Sequence, residues 1–272
     1  MLQKLKRIFS FVIVASVVIA CSKNSITGRS QFKLLPESQL QAMAVDQYRQ
    51  FLSQNKVVSS SANRDAEMVT RVGQRITRAV EQFYSSKGLS KELEGYQWEY
   101  KLVESKDVNA WCMPGGKIVV YTGLLPITQN EAALAVVMGH EVSHAIFNHG
   151  NERMSQAMGA EAVNLGLQVA LANKPSATQN LFLTAFGVGS QVGVLLPFSR
   201  KHELEADRYG LIWAAMAGYN PREAIPLWER MEKAGGARPP EFLSSHPAEG
   251  RRIEQLEKYM PEALQYYKPV SK

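Results

Sequence analysis

The spacing of hydrophobic positions along this chain changes several times, and each change marks an element. The first apolar run, Ile8 to Ala20, follows Lys4, Lys6 and Arg7 and closes on small residues. It is too short to span a bilayer comfortably, which is the form of a secretion signal over residues 1–20. From Ser22 to about Pro36 the chain is polar and broken by Gly28, so residues 21–36 are expected to act as a tether. Glu37 to Leu52 and Ala62 to Phe83 then carry apolar residues at helical spacing, Met68, Val72, Ile76 and Val80 among them. Two amphipathic helices are predicted, opening a domain that occupies residues 37–272.

The period next falls to two. Trp98 to Val103 alternates, and Asn109–Met113 and Lys117–Tyr121 flank Pro114-Gly115-Gly116, which reads as a hairpin turn. A small antiparallel sheet is expected here, beside a helix over Glu131–Phe147 whose start has Thr128 and Glu131 at capping-box spacing. Two apolar segments follow, about Met154–Ala172 and Leu181–Leu196. Each falls short of the roughly 20 apolar residues of a membrane span and is read as a buried core helix. Ser199 is placed to cap a helix running to Gly218, Asn220-Pro221 starts another, and a last helix covers about Ala248–Tyr259. With helices dominating and one small sheet, the predicted class is α+β, mainly helical.

Composition adds limits rather than a function. At 272 residues, 45% hydrophobic and 21% charged, the chain can build one large packed domain. The formal net charge is +6, half of it from the basic residues of the signal, and no basic run is interleaved with aromatics. Nucleic acid is not an expected partner. Val18-Ile19-Ala20-Cys21 resembles the lipobox of bacterial lipoproteins, in which the cysteine is acylated. That makes Cys21 a lipid anchor to a membrane. Ser22, rather than aspartate, follows it, which favours the outer membrane by resemblance to enterobacterial lipoproteins. Cys112 then has no partner for an intrachain disulfide and, in an alternating apolar strand, is expected to be a buried, inert thiol.

The chemistry centres on His140-Glu141-Val142-Ser143-His144. Histidines four apart on a helix share a face, so both imidazoles reach one metal ion, and Glu141 lies near enough to take a proton from an attacking water. A catalytic zinc wants a third protein ligand. His149, five residues past His144, would sit about 140° around a continuing helix and is read as structural. Glu203 is the better candidate: with Asp207 four residues on, one carboxylate serves the metal and the other a hydrogen bond to a ligand imidazole. The strand residues Asn109, Ala110, Trp111 and Cys112 offer a sheet edge that would hold an extended peptide by strand addition. A packing sheet with no ligand at its edge is the equal alternative.

With Ile26-Thr27-Gly28-Arg29, Asn109-Ala110, Pro114-Gly115-Gly116, Thr122-Gly123-Leu124-Leu125 and Ser245-His246-Pro247 in the same order, the chain resembles the HtpX and CAAX-prenyl-protease type of gluzincin metallopeptidase, in its soluble periplasmic lipoprotein branch. A C-terminal helical-repeat domain, present in some members, is not expected. The resemblance implies a zincin-like fold with one Zn2+ held by His140, His144 and Glu203. It makes Glu141 the base and then the acid, and Asp207 a support to the site. His246 and Arg252 would approach from the C-terminal loop. For His246 three roles stay open: stabilising the oxyanion, capping the zinc as a fourth ligand in a latent state, or ordering its own loop. The stretches 109–122 and 196–207 look most similar to lipoprotein peptidases of the Bacteroidetes. The expected function is a zinc endopeptidase that cuts extended or misfolded envelope proteins by attack of metal-activated water. The expected place is the outer membrane of a Gram-negative bacterium, facing the periplasm. The alternative is a chaperone-like assembly factor that binds outer-membrane clients in the same cleft.

Overall fold

The structure, a computed structural model, describes residues 21–164, 175–188, 199–234, 241–246 and 251–269. The predicted signal, the ends of the two apolar segments after Asn164 and Val188, and the start of the last predicted helix lie outside the described residues. In chain order the elements are β1 (Cys21–Lys23), β2 (Ser30–Phe32), α1 (Glu37–Gln54), β3 (Val57–Val58), α2 (Arg64–Ser86), β4 (Glu99–Val103), β5 (Ala110–Met113) and β6 (Lys117–Tyr121). Helices follow: α3 (Leu125–Thr128), α4 (Glu131–Ile146), α5 (His149–Asn164), α6 (Pro175–Ala185), α7 (Arg200–Met216), α8 (Ala224–Ala234), α9 (Glu241–Ser245) and α10 (Arg252–Tyr266). Among the described residues no helix is long and apolar enough to cross a membrane.

The α+β, mainly helical class holds, but the sheet is mixed. Its strand order is β3-β4-β6-β5, with β4 and β6 parallel and the other two pairs antiparallel. The expected antiparallel arrangement fails at one pair. The β5–β6 hairpin forms as read, with Gly115 and Gly116 at φ +76° and +84° in its turn. It is β6, not β5, that takes the place beside β4.

Alternation along these strands divides the interior. Leu102, Ala110, Cys112, Ile118 and Val120 face a large core shared with α2, α4 and α7. Val103, Trp111, Met113, Val119 and Tyr121 face a second core made with Leu40, Ala44 and Tyr48 of α1, Phe182 and Ala185 of α6, and Phe186 just after it. The sheet is thus buried on both faces, so β5 and β6 are buried at every position rather than at alternate ones. Helix α2 presents Val69, Val72, Ile76, Val80 and Phe83 to the first core, and Asn63 caps it by accepting from Asp65 N and Ala66 N.

Two local expectations change. Helix α4 is capped by Asn130, whose Oδ1 accepts from Ala133 N at 2.8 Å, not by Thr128. The Thr128 hydroxyl instead donates to Leu125 O within the preceding turn, and Gln129 at φ +64° separates the two helices. The stretch expected to be a tether is folded: β1 and β2 pair as a hairpin, Asn24 and Gln31 are buried, and Gln31 Nε2 donates to Phe147 O at 2.5 Å.

Candidate metal centre

The site is built where α4 crosses α7. Gly139 and Gly210 meet there backbone to backbone: a Cβ on Gly139 would lie 2.9 Å from Gly210 O, and one on Gly210 would lie 2.9 Å from His140 N. Ser143 reinforces the crossing, since its Oγ accepts from Trp213 Nε1 at 3.0 Å while donating to Gly139 O. No side chain larger than hydrogen fits at this point, and the approach brings the two histidines of one helix against the carboxylates of the other.

His140 Nε2 and His144 Nε2 lie 2.9 Å apart, and the Glu203 carboxylate stands 3.5 Å from the first and 3.4 Å from the second. His246, from the end of α9, enters the same cluster, with Nδ1 3.2 Å from His140 Nε2 and 3.0 Å from Glu203 Oε1. These four residues are all buried, and their donor atoms lie within 4.8 Å of one another. Ligand bonds of 2.0–2.1 Å at tetrahedral angles put donor atoms about 3.3 Å apart, close to the separations seen here. Among the described residues Glu141 Oε1 is buried without a hydrogen-bond donor, the condition of an acceptor that water held by a cation would satisfy. The donor set fits a divalent transition metal.

A second layer of side chains holds the first. Asp207 Oδ1 lies 3.0 Å from His140 Nδ1 and accepts from Arg252 Nη2 at 2.6 Å. Arg252 also lies 3.2 Å from Glu203 Oε2, donates to His246 O at 3.3 Å, and rests its guanidinium 3.5 Å above the centre of the Trp228 ring. Glu203 thus stands inside the donor cluster, and Asp207 stands on the other side of the His140 ring.

Electrostatics follow from burial. The Glu141 carboxyl is pushed well above the usual range, first by burial and then by the charge of Glu203. Burial would also raise Glu203, but His246, His140 and Arg252 outweigh it and hold that carboxylate down. Burial lowers His144 well below its ordinary value and His246 to about 4, so both imidazoles are neutral at pH 7, the form that binds metal. His246 Nε2 lies 3.6 Å from Glu141 Oε1, so this third imidazole also faces the Glu141 carboxylate.

The remaining predicted residues fall as follows. Asn109, Ala110, Trp111 and Cys112 lie on or beside the edge strand β5, whose only strand partner among the described residues is β6. All four are buried, and Asn109 Oδ1 accepts from Ala110 N at 2.9 Å. Since Tyr121 N donates to Asn109 O and Gly116 N to Met113 O, residues 109, 111 and 113 turn their backbone toward β6. The backbone groups of Ala110 and Cys112 point the other way, to the free edge. The Cys112 thiol is buried and its pKa is pushed well up by burial, then by Glu141.

His149 does not join the ligand cluster, but the reason differs from the angle on a continuous helix. Helix α4 ends at Ile146, Asn148 turns the chain at φ +57°, and His149 begins α5. That turn lays its ring against His144, Nδ1 to Nδ1 at 3.0 Å. Burial pulls the His149 pKa to about 4. This contact depends on where the helix stops, which the five-residue spacing of His144 and His149 does not reveal.

Comparison with known proteins agrees with the site. The model of peptidase family M48 matches residues 70–260. The chain is 39% identical over 184 residues to the mitochondrial metalloendopeptidase OMA1 of Arabidopsis thaliana, covering 66% of this chain and 36% of that protein. It is 32% identical over 241 residues to the OMA1 metalloendopeptidase of Schizosaccharomyces pombe, covering 88% and 66%. It is 25% identical over 262 residues to the metalloprotease LoiP of Escherichia coli, covering 93% and 96%. The chain thus spans between about a third and two thirds of the length of these mitochondrial relatives. Because the matched span holds both crossing helices, His246 and Arg252, the chain belongs to peptidase family M48.

Proposed function

We propose that the chain is a zinc-dependent endopeptidase acting on extended polypeptide. The observation that carries this reading is the buried convergence of His140, His144 and Glu203 with Glu141 beside them. Two imidazoles and one carboxylate are a donor set suited to catalytic zinc, which supplies a Lewis-acid charge that polarises the scissile carbonyl and acidifies water. The chain's own groups do the rest. Glu141, buried beside the cluster with Oε1 open to it, takes the proton of the attacking water and returns it to the leaving amine. Asp207 and Arg252 fix the His140 ring and the Glu203 carboxylate. The edge of β5 away from β6 holds the substrate main chain through the carbonyl of Ala110, whose N–H is taken by Asn109 Oδ1, and the backbone of Cys112.

The position of His246 supports a second reading, of state rather than of reaction. Its Nδ1 stands inside the ligand cluster, so a metal there would have four protein donors, the closed arrangement of structural zinc sites. A His246 kept in this place would hold the enzyme latent, and one turned away from the cluster would leave room for water there. Once withdrawn, the imidazole is placed to stabilise the oxyanion.

Substrates among misfolded envelope proteins, and an anchor through Cys21 in the outer membrane facing the periplasm, complete the proposal. The lipobox-like run ending at Cys21 supports the address. Cys21→Ser should move the protein from the membrane to the soluble periplasmic fraction; unchanged membrane retention would remove the anchor.

The activity is tested with purified protein and an unfolded protein substrate. Zinc content near one per chain, with cleavage lost on chelation and restored by zinc, is expected. Glu141→Gln should keep the zinc and the fold while losing about 100-fold or more in turnover. Substantial turnover by that variant would take Glu141 out of the mechanism.

A further inference from the structure

Behind His144 lies a second buried cluster of titratable groups, His149, Glu152 and His202, with Glu205 at its rim. Three of these have donor atoms close enough together to hold an ion. A cation of the chain's own already stands there. Arg29, from the hairpin that precedes α1, donates through Nη1 and Nη2 to Glu152 at 2.7 and 2.5 Å and through Nε to Glu205 at 2.7 Å. The cluster is therefore organised around a guanidinium, and its contact with the metal centre is a different one.

We propose that Glu205, His149 and His144 form a hydrogen-bonded relay that fixes the His144 ring for metal binding, with Arg29 anchoring its outer end. The inference rests on the metal site proposed above. His144 turns Nε2 toward the other donors, 2.9 Å from His140 Nε2 and 3.4 Å from Glu203 Oε1. A ring that ligates through Nε2 carries its proton on Nδ1. That Nδ1 lies 3.0 Å from His149 Nδ1, and two nitrogens at this distance share one proton, so His144 donates and His149 accepts. The proton of neutral His149 is then on Nε2, which donates to Glu205 Oε2 at 2.9 Å. Each proton position follows from the one before it.

The relay gives His144 what Asp207 gives His140 directly, with one imidazole interposed. Its geometry is held from three sides. The left-handed turn at Asn148 delivers His149 to the back of His144. The His202 ring stacks on His149 at 4.3 Å and 18°, fixing its plane. Arg29 holds the Glu205 carboxylate and ties it to Glu152. His149, Glu205 and Arg29 are positioning residues, none of which touches the metal or a substrate.

The test uses the full-length protein and zinc alone, its affinity read by chelator competition, with the absorption spectrum of the cobalt-substituted protein as a second readout. His149→Leu should lose about 10- to 100-fold in zinc affinity and shift the cobalt spectrum. His149→Gln, which can accept from one neighbour and donate to the other, should recover most of that loss. Glu205→Gln should weaken zinc binding several-fold alone and add nothing in the His149→Leu background, because its effect passes through the ring that is gone. Wild-type affinity and an unshifted spectrum in His149→Leu, or a Glu205 effect that simply adds, would overturn the relay. Should His149→Leu not fold, wild-type affinity in Glu205→Gln overturns it instead. A wild-type protein that takes up no zinc would overturn the metal site and the relay with it, whereas normal uptake with indifferent variants overturns the relay alone.

Discussion

Asp207 accepts from two donors at once, the His140 ring and the Arg252 guanidinium, and both bonds are buried. Replacing it with asparagine keeps the size but removes the charge that balances Arg252 and frees the His140 ring to rotate. Asp207→Asn is expected to lower zinc affinity about 10- to 100-fold while leaving the far-ultraviolet circular dichroism unchanged, as measured by chelator competition. Affinity equal to wild type would show that His140 is oriented by packing alone. At this scale the sequence was informative where chemistry repeats with helical spacing: His140, His144, Glu203 and Asp207 are each placed by a four-residue interval. It was silent where side chains meet across long separations. Arg29 and Glu205 are 176 positions apart, and nothing in either neighbourhood announces the other.

Among elements, the crossing of α4 and α7 decides whether a site exists. Gly139 and Gly210 let the helices touch, and each is surrounded by backbone that cannot swing aside. Gly210→Ala gains about 1 kcal/mol of helix propensity. The methyl group would nonetheless be driven into the His140 amide, and overpacking of this kind costs about 1–3 kcal/mol. The expected result is a net loss of thermal stability together with weakened zinc binding, because the wedge moves Glu203 away from the histidines. A variant as stable as the parent, with full zinc affinity, would mean that the helices have slack. The helices themselves were legible from periodicity, and their starts were less so. Thr128 and Glu131 satisfy a spacing rule, yet Asn130 wins the cap because Gln129 turns the chain between them. The parallel β4–β6 pair was not legible, since three consecutive strands with a tight turn are equally compatible with a meander.

For the molecule as a whole, the N-terminal hairpin is a structural member of the domain. Burial would raise the Glu152 carboxyl, but its bonds to Arg29 and His202 hold it down to about 2 from the ordinary 4.5. The folded state therefore binds fewer protons than the unfolded one between these values. The stabilisation is fully present above about pH 4.5 and is lost as pH falls toward 2. Arg29→Met leaves a buried carboxylate without its cation, which costs about 3 kcal/mol at pH 6. The gap between wild type and variant, read by urea unfolding, should narrow at pH 3; a gap that does not change with pH would deny the ion pair its role.

The order of strands also has a bearing on how this chain comes into being. The central strand β6 is the last of the sheet to be synthesised, so β4 and β5 emerge with no neighbour to bond along the side that β6 will fill. Until Tyr121 has left the ribosome, β4 and the apolar β5 must wait open-edged, and a nascent chain stalled before that residue is the form most exposed to aggregation.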